Sequence, residues 1–251
     1  MSIQPFINEK FAGNIWRLEI DEKNDTLFVE SRNAEERKTN FSSINLQTGG
    51  IHFKDFIGPE NWHTGIEAVY GNVLLLHLYE SANTPVHKGL IAISALSGEI
   101  LWQNYNLGMD HLSAEGPVVF DMRMQPRKLF LIDIKTGVSL SNANMEPKNL
   151  STEIIFPGSI DLTLLPSELT AFNTCGKTAQ YLKFNNLIFV SLHTFNGEFL
   201  SHGLFILDDQ KIIFKEILND QIHKMQPESF ILFKNFLIYI KNKTELKVLN
   251  L

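Results

Sequence analysis

The stretch GLIAISALSGEILW, at residues 89–102, decides the fold of this chain. An apolar run leads into Ser97-Gly98, and a second apolar run follows and ends at Trp102. Glycine readily takes the positive φ that a tight turn needs. Ser94 stands three residues before Ser97, where its hydroxyl can accept hydrogen bonds from the N–H groups of the turn. The stretch therefore predicts a β-hairpin.

The same hairpin recurs along the chain. Its Ser-Gly turn is repeated as Thr-Gly at residues 48–49 and 136–137, and there Asn45 and Asp133 occupy the position of Ser94. A degraded copy occupies residues 204–210. A second kind of hairpin has an aromatic residue, one further residue and then Asn before an apolar strand; its copies are at residues 70–76, 184–190 and 233–239. Two hairpins in series make a four-stranded meander of roughly 40 to 50 residues, which is the size of one propeller blade.

These signals divide the chain into five units, at residues 14–56, 66–105, 110–142, 178–218 and 229–251. The last unit has only three predicted strands, and the segment 5–11 is left over at the start. Pairing these two ends would complete the last unit and close a ring, which removes exposed sheet edges. We therefore predict an all-β chain, a single β-propeller domain over residues 1–251 with about five four-stranded blades. Residues 143–177 do not fit, so they form either an insertion or an eroded sixth blade.

Composition excludes several classes of function. Hydrophobic residues make up 44% of the chain, which is typical of a globular protein. The net charge of −6 comes without any basic stripe, so we expect no nucleic-acid partner. The apolar runs are far too short to cross a membrane, and the N-terminus has no signal-peptide pattern. Cys175 is the only cysteine, which excludes an internal disulfide and a cysteine-based metal site. We expect a cytoplasmic protein that contacts no membrane.

The stretch 89–102 resembles the repeat of quinoprotein-like (PQQ-like) β-propellers, in which a strand, a small or acidic residue, Thr-Gly and then Trp follow one another. Residues 129–140 are similar without the Trp, and residues 41–53 have Phe53 near that place. The resemblance implies a blade in which the aromatic residue packs between blades, and membership of an uncharacterised bacterial propeller family. It implies no cofactor, because no residue here matches the cofactor and calcium sites of the quinone-dependent enzymes.

Predicted loops between blades hold the candidate site residues, which are histidines with a glutamate close behind them and one tryptophan: Trp62, His63, Glu67, His111, Glu115, His223 and Glu228. Imidazoles and carboxylates from several blades could meet and hold a divalent metal or position a proton donor. Measured from the Asn turns, however, Glu67 precedes Asn72 by 5 residues whereas Glu228 precedes Asn235 by 7. The copies are out of register, so the sequence favours solvated or structural roles and predicts no metal and no cofactor.

Three further residues are predicted to be structural. His77 and His193 fall in or beside apolar strands, where each is expected to be a buried histidine with one satisfied hydrogen bond. Cys175 is expected to lie in a loop as an incidental cysteine.

Two classes of function remain open, because the chain carries no phosphate-binding, zinc-protease or nucleophile-elbow motif. The first is a non-catalytic binding or protein-interaction scaffold, which presents one face of the ring to a protein or a small-molecule ligand. On this hypothesis Trp62 is an anchor for the partner, since Trp is enriched in binding hot spots. The alternative is a hydrolase or lyase with a His/Glu or metal site at the mouth of the central channel. No catalytic residue can be assigned from the sequence.

Overall fold

A computed structural model describes residues 3–81, 84–140, 148–209, 211–226 and 229–251. The strands of the first half are β1 (Ile7–Lys10), β2 (Asn14–Asp21), β3 (Thr26–Asn33), β4 (Lys38–Asn45), β5 (Ile51–Ile57), β6 (Thr64–Tyr70), β7 (Val73–Tyr79), β8 (His87–Ser94), β9 (Ile100–Asn104), β10 (Leu107–Ser113), β11 (Gly116–Asp121) and β12 (Leu129–Leu131). Those of the second half are β13 (Ile154–Ile155), β14 (Gly158–Asp161), β15 (Thr174–Phe184), β16 (Leu187–Asn196), β17 (Phe199–Asp208), β18 (Lys211–Ile222), β19 (Phe230–Phe233), β20 (Phe236–Lys241) and β21 (Glu245–Asn250).

Among the described residues, the helical structure consists of short 3-10 helices at Asn61–His63, Leu162–Leu164 and Ser167–Leu169. None of the helices in the described residues is long and apolar enough to span a membrane.

The strands form five antiparallel sheets. Sheet I consists of β2–β5 and sheet II of β6–β9, each in chain order; sheet III consists of β10–β12, sheet IV of β14–β18, and sheet V has the order β1-β21-β20-β19-β13. The predicted all-β fold of antiparallel sheets is confirmed, and two of the five sheets, I and II, have the predicted four strands. The chain divides into two compact units: a middle unit, residues 11–152, with sheets I to III, and a terminal unit, residues 1–10 and 153–251, with sheets IV and V.

In the middle unit, the first two predicted repeats agree closely with the sheets. Sheet I spans residues 14–57 and sheet II spans residues 64–104. The third repeat is weaker than expected, because sheet III has three strands and its continuation is reduced to an isolated pair between Ile132 and Ser139.

The predicted turn chemistry of the repeats is present in all three clear copies. The Oδ1 atom of Asn45 accepts hydrogen bonds from the backbone N–H groups of residues 47 and 48, and Asp133 Oδ1 does the same for residues 135 and 136. The hydroxyl of Ser94 accepts weaker ones, at 3.3–3.4 Å, from residues 96 and 97. The glycine of each turn has a φ between +70° and +74°. A side chain that accepts from the turn and a glycine that closes it are therefore the local cause of each hairpin.

The aromatic residue of one sheet contacts the turn glycine of the next sheet. A Cβ added to Gly137 would lie 2.8 Å from the Trp102 ring, and one added to Gly98 would lie 3.3 Å from the Phe53 ring. The indole Nε1 of Trp102 donates a 2.8 Å hydrogen bond to the carbonyl oxygen of Ile134. Only glycine leaves this space, so the repeat links neighbouring sheets of the middle unit through one aromatic ring and one bare turn.

Strand β7 is apolar at successive positions because both of its faces are buried. Leu74 and Leu76 pack into a core with Phe28 and Phe41 of sheet I. Their neighbour Leu75 packs on the opposite face with residues of sheet III. Since successive side chains of a strand point to opposite faces, an uninterrupted apolar run is expected for a sheet between two others.

In the terminal unit, the first strand pairs with the last, as the sequence predicts. Strand β1 runs antiparallel to β21, from Ile7 opposite Val248 to Lys10 opposite Glu245. The three predicted strands of the last repeat are present as β19, β20 and β21. Sheet V packs on sheet IV through a shared apolar core that includes Phe189 and Leu237.

The described part of the segment 143–177 adds strands to the sheets of the terminal unit. Strand β13 pairs with β19, and β14 pairs with β15, so sheets IV and V each have five strands. Cys175, expected in a loop, is the second residue of β15 and is half-buried.

Asn tolerates the left-handed conformation, so the repeated Asn of the second kind of turn is expected to adopt it, and it does so in one copy of the three. Asn72 has the positive φ expected for it, but in the other two copies the positive φ belongs to Asn185 and Lys234, one residue before the repeated Asn. The first position of the turn has a positive φ in all three copies, at Gly71, Asn185 and Lys234, and in the first copy the second position, Asn72, has one as well.

Candidate functional site

A carboxylate and two imidazoles meet on sheet II of the middle unit. Glu67 lies on β6, His77 on β7 and His87 at the first position of β8. Two irregularities in the sheet bring them together. The pairing of β6 with β7 skips Glu67, and the pairing of β7 with β8 skips Gly89, whose φ is +66°. Such β-bulges redirect side chains and are common beside functional sites.

The Glu67 carboxylate contacts both imidazoles. Its Oε2 atom lies 2.8 Å from His77 Nδ1 and 2.9 Å from His87 Nδ1. The two rings stack with centroids 3.5 Å apart and planes only 7° apart, and the Tyr79 ring stands edge-on to both. We call Glu67, His77 and His87 the Glu-His-His cluster.

Burial and charge act against each other in this cluster. Burial raises the pKa of the Glu67 carboxyl, but the hydrogen bonds and charges of His77 and His87 together outweigh it and leave the pKa lowered. Burial lowers the pKa of His77, and the neighbouring carboxylate opposes that change without reversing it. At neutral pH we therefore expect an ionised Glu67 beside a neutral His77.

Next to the cluster, three aromatic rings surround one guanidinium group. The Cζ atom of Arg32 lies 5.2 Å from the ring centroid of Trp16, 5.5 Å from that of Trp62 and 5.9 Å from that of Tyr79. We call these four residues the aromatic–arginine patch. Trp16 is 67% exposed, which is unusual for so large an apolar side chain.

A buried glutamate fixes the arginine of the patch. Glu30 lies 2.7 Å from Arg32 Nη2, and its other oxygen accepts a 2.9 Å hydrogen bond from the backbone N–H of Ile66. The carbonyl of Ile66 in turn accepts from Arg17 at 2.7 Å. Ile66 directly precedes the bulge at Glu67, so the same contacts hold both the patch and the cluster in place.

Two of the seven predicted site residues belong to this region: Glu67 is in the cluster and Trp62 is in the patch. His63 follows Trp62 at the end of its 3-10 helix, and no contact joins it to the cluster among the described residues. The histidines that contact Glu67 are His77 and His87, whereas the sequence had predicted His63.

The remaining candidates lie elsewhere. His111 and Glu115 are on or beside sheet III, where His111 Nδ1 lies 2.8 Å from Asp110 and the Glu115 carboxylate accepts from the backbone N–H of Lys148 at 3.1 Å. His223 belongs to the terminal unit and stands edge-on to Phe199. Glu228 lies outside the described residues.

Sequence reasoning missed His77 and His87 as site residues. His77 was expected to be buried with one satisfied hydrogen bond, and it is 2% exposed, but its Nε2 atom has no hydrogen-bond partner within the part of the chain that the structure describes. The usable signal was Gly65, which pairs directly with His77 across the sheet. A Cβ at Gly65 would lie 2.9 Å from the imidazole, and a glycine inside a strand often marks such a close approach.

The terminal unit contains a second pair of stacked histidines. His193 on β16 pairs directly with His202 on β17, with ring centroids 4.1 Å apart. The Ser191 hydroxyl lies 2.7 Å from His202 Nε2, and His193 Nε2 accepts a 3.0 Å hydrogen bond from the backbone N–H of Gln226. These four residues line a cavity of about 370 Å³.

Both imidazoles of this pair favour the neutral form. Burial, followed by the charge of His193, lowers the pKa of His202 to about 4, and burial also lowers that of His193. The Nδ1 atom of His202 is buried and lacks a hydrogen-bond partner among the described residues. A serine thus faces an unprotonated imidazole, but no carboxylate of the described residues contacts that imidazole.

Comparisons with known proteins give one family model over part of the chain and similarities to solved structures. A family model described as a domain of unknown function (DUF4905) matches residues 20–102, which include the Glu-His-His cluster and the patch except Trp16. No curated protein matches the chain. Among solved structures, the chain is similar to the beta-propeller domain of the Trilobed protease from Pyrococcus furiosus, with 12% identity and a TM-score of 0.34 over 94% of this chain and 65% of that one. It thus spans slightly less than two thirds of that chain. It is also similar to hydrazine synthase from Kuenenia stuttgartiensis, with 12% identity and a TM-score of 0.31 over 93% of this chain and 82% of that one.

Proposed function

We propose that this chain is a non-catalytic binding module that contacts a protein partner through the aromatic–arginine patch. The observation that carries the proposal is the exposure of Trp16 together with its position over a fixed guanidinium. Trp, Tyr and Arg are the residue types that dominate protein-binding hot spots. A side chain of this size exposes its apolar surface at a cost unless a partner covers it.

The patch is also prepared for binding. Arg32 is held by Glu30 and by three rings, so little side-chain freedom is lost when a partner contacts it. The rim carries Glu67 and the exposed imidazole of His87, which can supply hydrogen bonds around an apolar centre. An apolar centre with a polar rim is the usual arrangement of a protein interface.

The proposal includes the architecture that presents the patch. It is a five-bladed β-propeller of the quinoprotein-like kind, in which pairing of β1 with β21 completes the last blade and closes the ring. The contacts of Trp102 with the Gly137 turn and of Phe53 with the Gly98 turn support blades of this kind. The proposed location is the cytoplasm, which suits a protein with one unpaired cysteine. Neither nucleic acid nor a membrane is a proposed partner.

The test is quantitative affinity enrichment from a lysate of the source organism, with the wild-type chain, Trp16→Ala and Leu164→Ala as baits. Leu164 is 69% exposed, so it is a matched control in the terminal unit for an exposed apolar side chain. We expect a specific protein that is recovered equally by the wild type and Leu164→Ala but at least about tenfold less by Trp16→Ala. If no recovered protein depends on Trp16, the proposal is wrong.

The Ser191–His202 contact favours hydrolysis as a second candidate function, at the cavity of the terminal unit. The neutral imidazole could accept the Oγ proton as the serine oxygen attacks an acyl carbon. The imidazolium then gives that proton to the leaving oxygen of the ester, and water hydrolyses the acyl-serine and restores the hydroxyl. The test is hydrolysis of p-nitrophenyl acetate by the wild type and by Ser191→Ala. A wild-type rate that is above that of buffer and is lost in the variant would favour it, and equal rates would exclude it.

A further inference from the structure

The Glu-His-His cluster has the donor set of a transition-metal site. It offers one carboxylate oxygen and two imidazole nitrogens, and these three ligand atoms lie within 4.8 Å of one another. Imidazole nitrogen and carboxylate oxygen are ligands that Zn²⁺ and related divalent ions bind well. Three protein ligands leave one tetrahedral position for water or another small ligand, as in zinc sites that act on substrates.

The spacing of the donors is close to what such an ion requires. With metal–ligand bonds of about 2.0–2.1 Å, neighbouring ligand atoms of a tetrahedral site are about 3.3 Å apart. Glu67 Oε2 lies 2.8 Å from His77 Nδ1 and 2.9 Å from His87 Nδ1. The donors therefore need to separate by only about half an ångström to admit the ion between them.

One ring must turn for both imidazoles to bind the same ion. The lone pair of an imidazole nitrogen lies in the ring plane, and the rings of His77 and His87 are parallel and 3.5 Å apart. His77 is fixed by burial and by its contact with Gly65. The His87 side chain is 41% exposed and stands at the start of its strand, so it is free to tilt.

The hydrogen bonding of the buried His77 imidazole is a second observation that favours an ion at this cluster. The His77 side chain is 2% exposed, and its Nε2 atom has no hydrogen-bond partner among the described residues. Buried polar atoms normally have such partners, and an exception calls for an explanation such as an ion. The same ring therefore combines an unpartnered Nε2 with an Nδ1 that faces the Glu67 carboxylate inside the cluster.

From these observations we propose that Glu67, His77 and His87 bind one divalent transition-metal ion of the Zn²⁺ class, with a coordination position open to solvent. This proposal goes beyond the binding function and does not depend on it, because metal binding is measured on the purified chain alone. The ion would replace the contacts between Glu67 and the two histidines.

The experiment is isothermal titration calorimetry with ZnCl₂ in a buffer that does not bind metal, on the wild type, His87→Ala, Glu67→Gln and His111→Ala. His87 is exposed, so its removal is not expected to disturb folding, and circular dichroism checks this for each variant. His111 is the matched control, since it is also an exposed histidine beside a carboxylate. Binding of CoCl₂, followed by visible absorption, reports whether nitrogen ligands enter the coordination shell.

We expect one Zn²⁺ per wild-type chain, an affinity at least about tenfold lower in His87→Ala and in Glu67→Gln, and no change in His111→Ala. The visible Co²⁺ spectrum should be lost with His87. The proposal is overturned if the wild type binds no Zn²⁺, if His87→Ala binds as tightly as the wild type, or if His111→Ala weakens binding as much. A loss of Trp16-dependent partner capture would leave all of these outcomes unchanged.

Discussion

Each unit of the protein stacks two histidines on one face of a sheet, yet the two pairs have different chemistry. In the terminal unit, β16 and β17 pair without irregularity, so His193 and His202 face each other directly and the nearest polar group is the Ser191 hydroxyl. In the middle unit, bulges at Glu67 and Gly89 break the regular ladder and bring a carboxylate to the imidazoles.

The comparison shows that regular strand pairing is enough to stack two imidazole rings. In the middle unit, the bulges are what bring the Glu67 carboxylate into contact with the rings. At His202, burial and the charge of His193 outweigh the side-chain hydrogen bond with Gln226, and the pKa falls to about 4. A carboxylate opposes burial at His77 and supplies a third metal ligand. A pair of stacked histidines thus lines a cavity in the neutral form in the terminal unit and belongs to a candidate metal site in the middle unit.

The largest expected effect concerns pH and the terminal pair. His202 has a pKa of about 4 when folded and 6.5 as its reference value, so between these values the unfolded chain binds the extra proton. The stabilisation that this residue provides is complete above about pH 6.5 and is lost as the pH falls through about 4. Its size is about 3.5 kcal/mol, from a pKa difference of about 2.5 and about 1.4 kcal/mol per pH unit.

Urea unfolding of the wild type and His202→Gln at several pH values between 4 and 7 measures this pH-dependent contribution to the free energy of unfolding. The variant should lack it. The same comparison for His77→Gln should show a weaker pH dependence, because Glu67 opposes the burial effect there. Equal pH dependence in the wild type and His202→Gln would contradict the assignment.

The next effect concerns the space that the middle pair requires. Gly65→Ala would place a Cβ 2.9 Å from the His77 ring, and we expect a loss of about 1–3 kcal/mol in the free energy of unfolding because the buried ring must move. Gly158→Ala is the control beside the cavity of the terminal unit, since its nearest atom would be 3.9 Å away, and it should cost less than about 0.5 kcal/mol. Equal costs would show that Gly65 makes no special room for the imidazole.

The smallest expected effect is on the pKa values of His77 and His202, which distinguish the influence of the Glu67 carboxylate from that of the Ser191 hydroxyl. In metal-free protein, Glu67→Gln should lower the pKa of His77, because the carboxylate is the group that raises it against burial. Ser191→Ala should leave the pKa of His202 almost unchanged, since burial and His193 are what lower it. NMR titration of the imidazole carbon-bound protons measures both. An unchanged His77 pKa in Glu67→Gln would mean that the two groups do not interact.

Much of the fold could be predicted from the sequence because its causes are local. Asn45, Ser94 and Asp133 each bond to their own turn, and the glycine of each turn has the required φ. The sequence also predicted the pairing of β1 with β21, since the last repeat lacked a strand and the first residues had none to pair with. The weak third sheet was not foreseen, because its hairpin signal at residues 129–137 is intact while the pairing beyond it is reduced to one bridge.

By itself, then, the sequence determined the all-β repeats, the chemistry of the Thr-Gly and Ser-Gly turns and the boundaries of the first two sheets, because periodicity and turn chemistry act within a few residues. Only the tertiary structure decided which polar side chains meet. Glu67, His77 and His87 come from three strands, and their meeting depends on two bulges and on the bare surface of Gly65. A bulge shifts the register by one residue and reverses the direction of a side chain. Gly65 and Gly89 are local signs of a close approach and of a bulge, but they do not say which polar side chains meet.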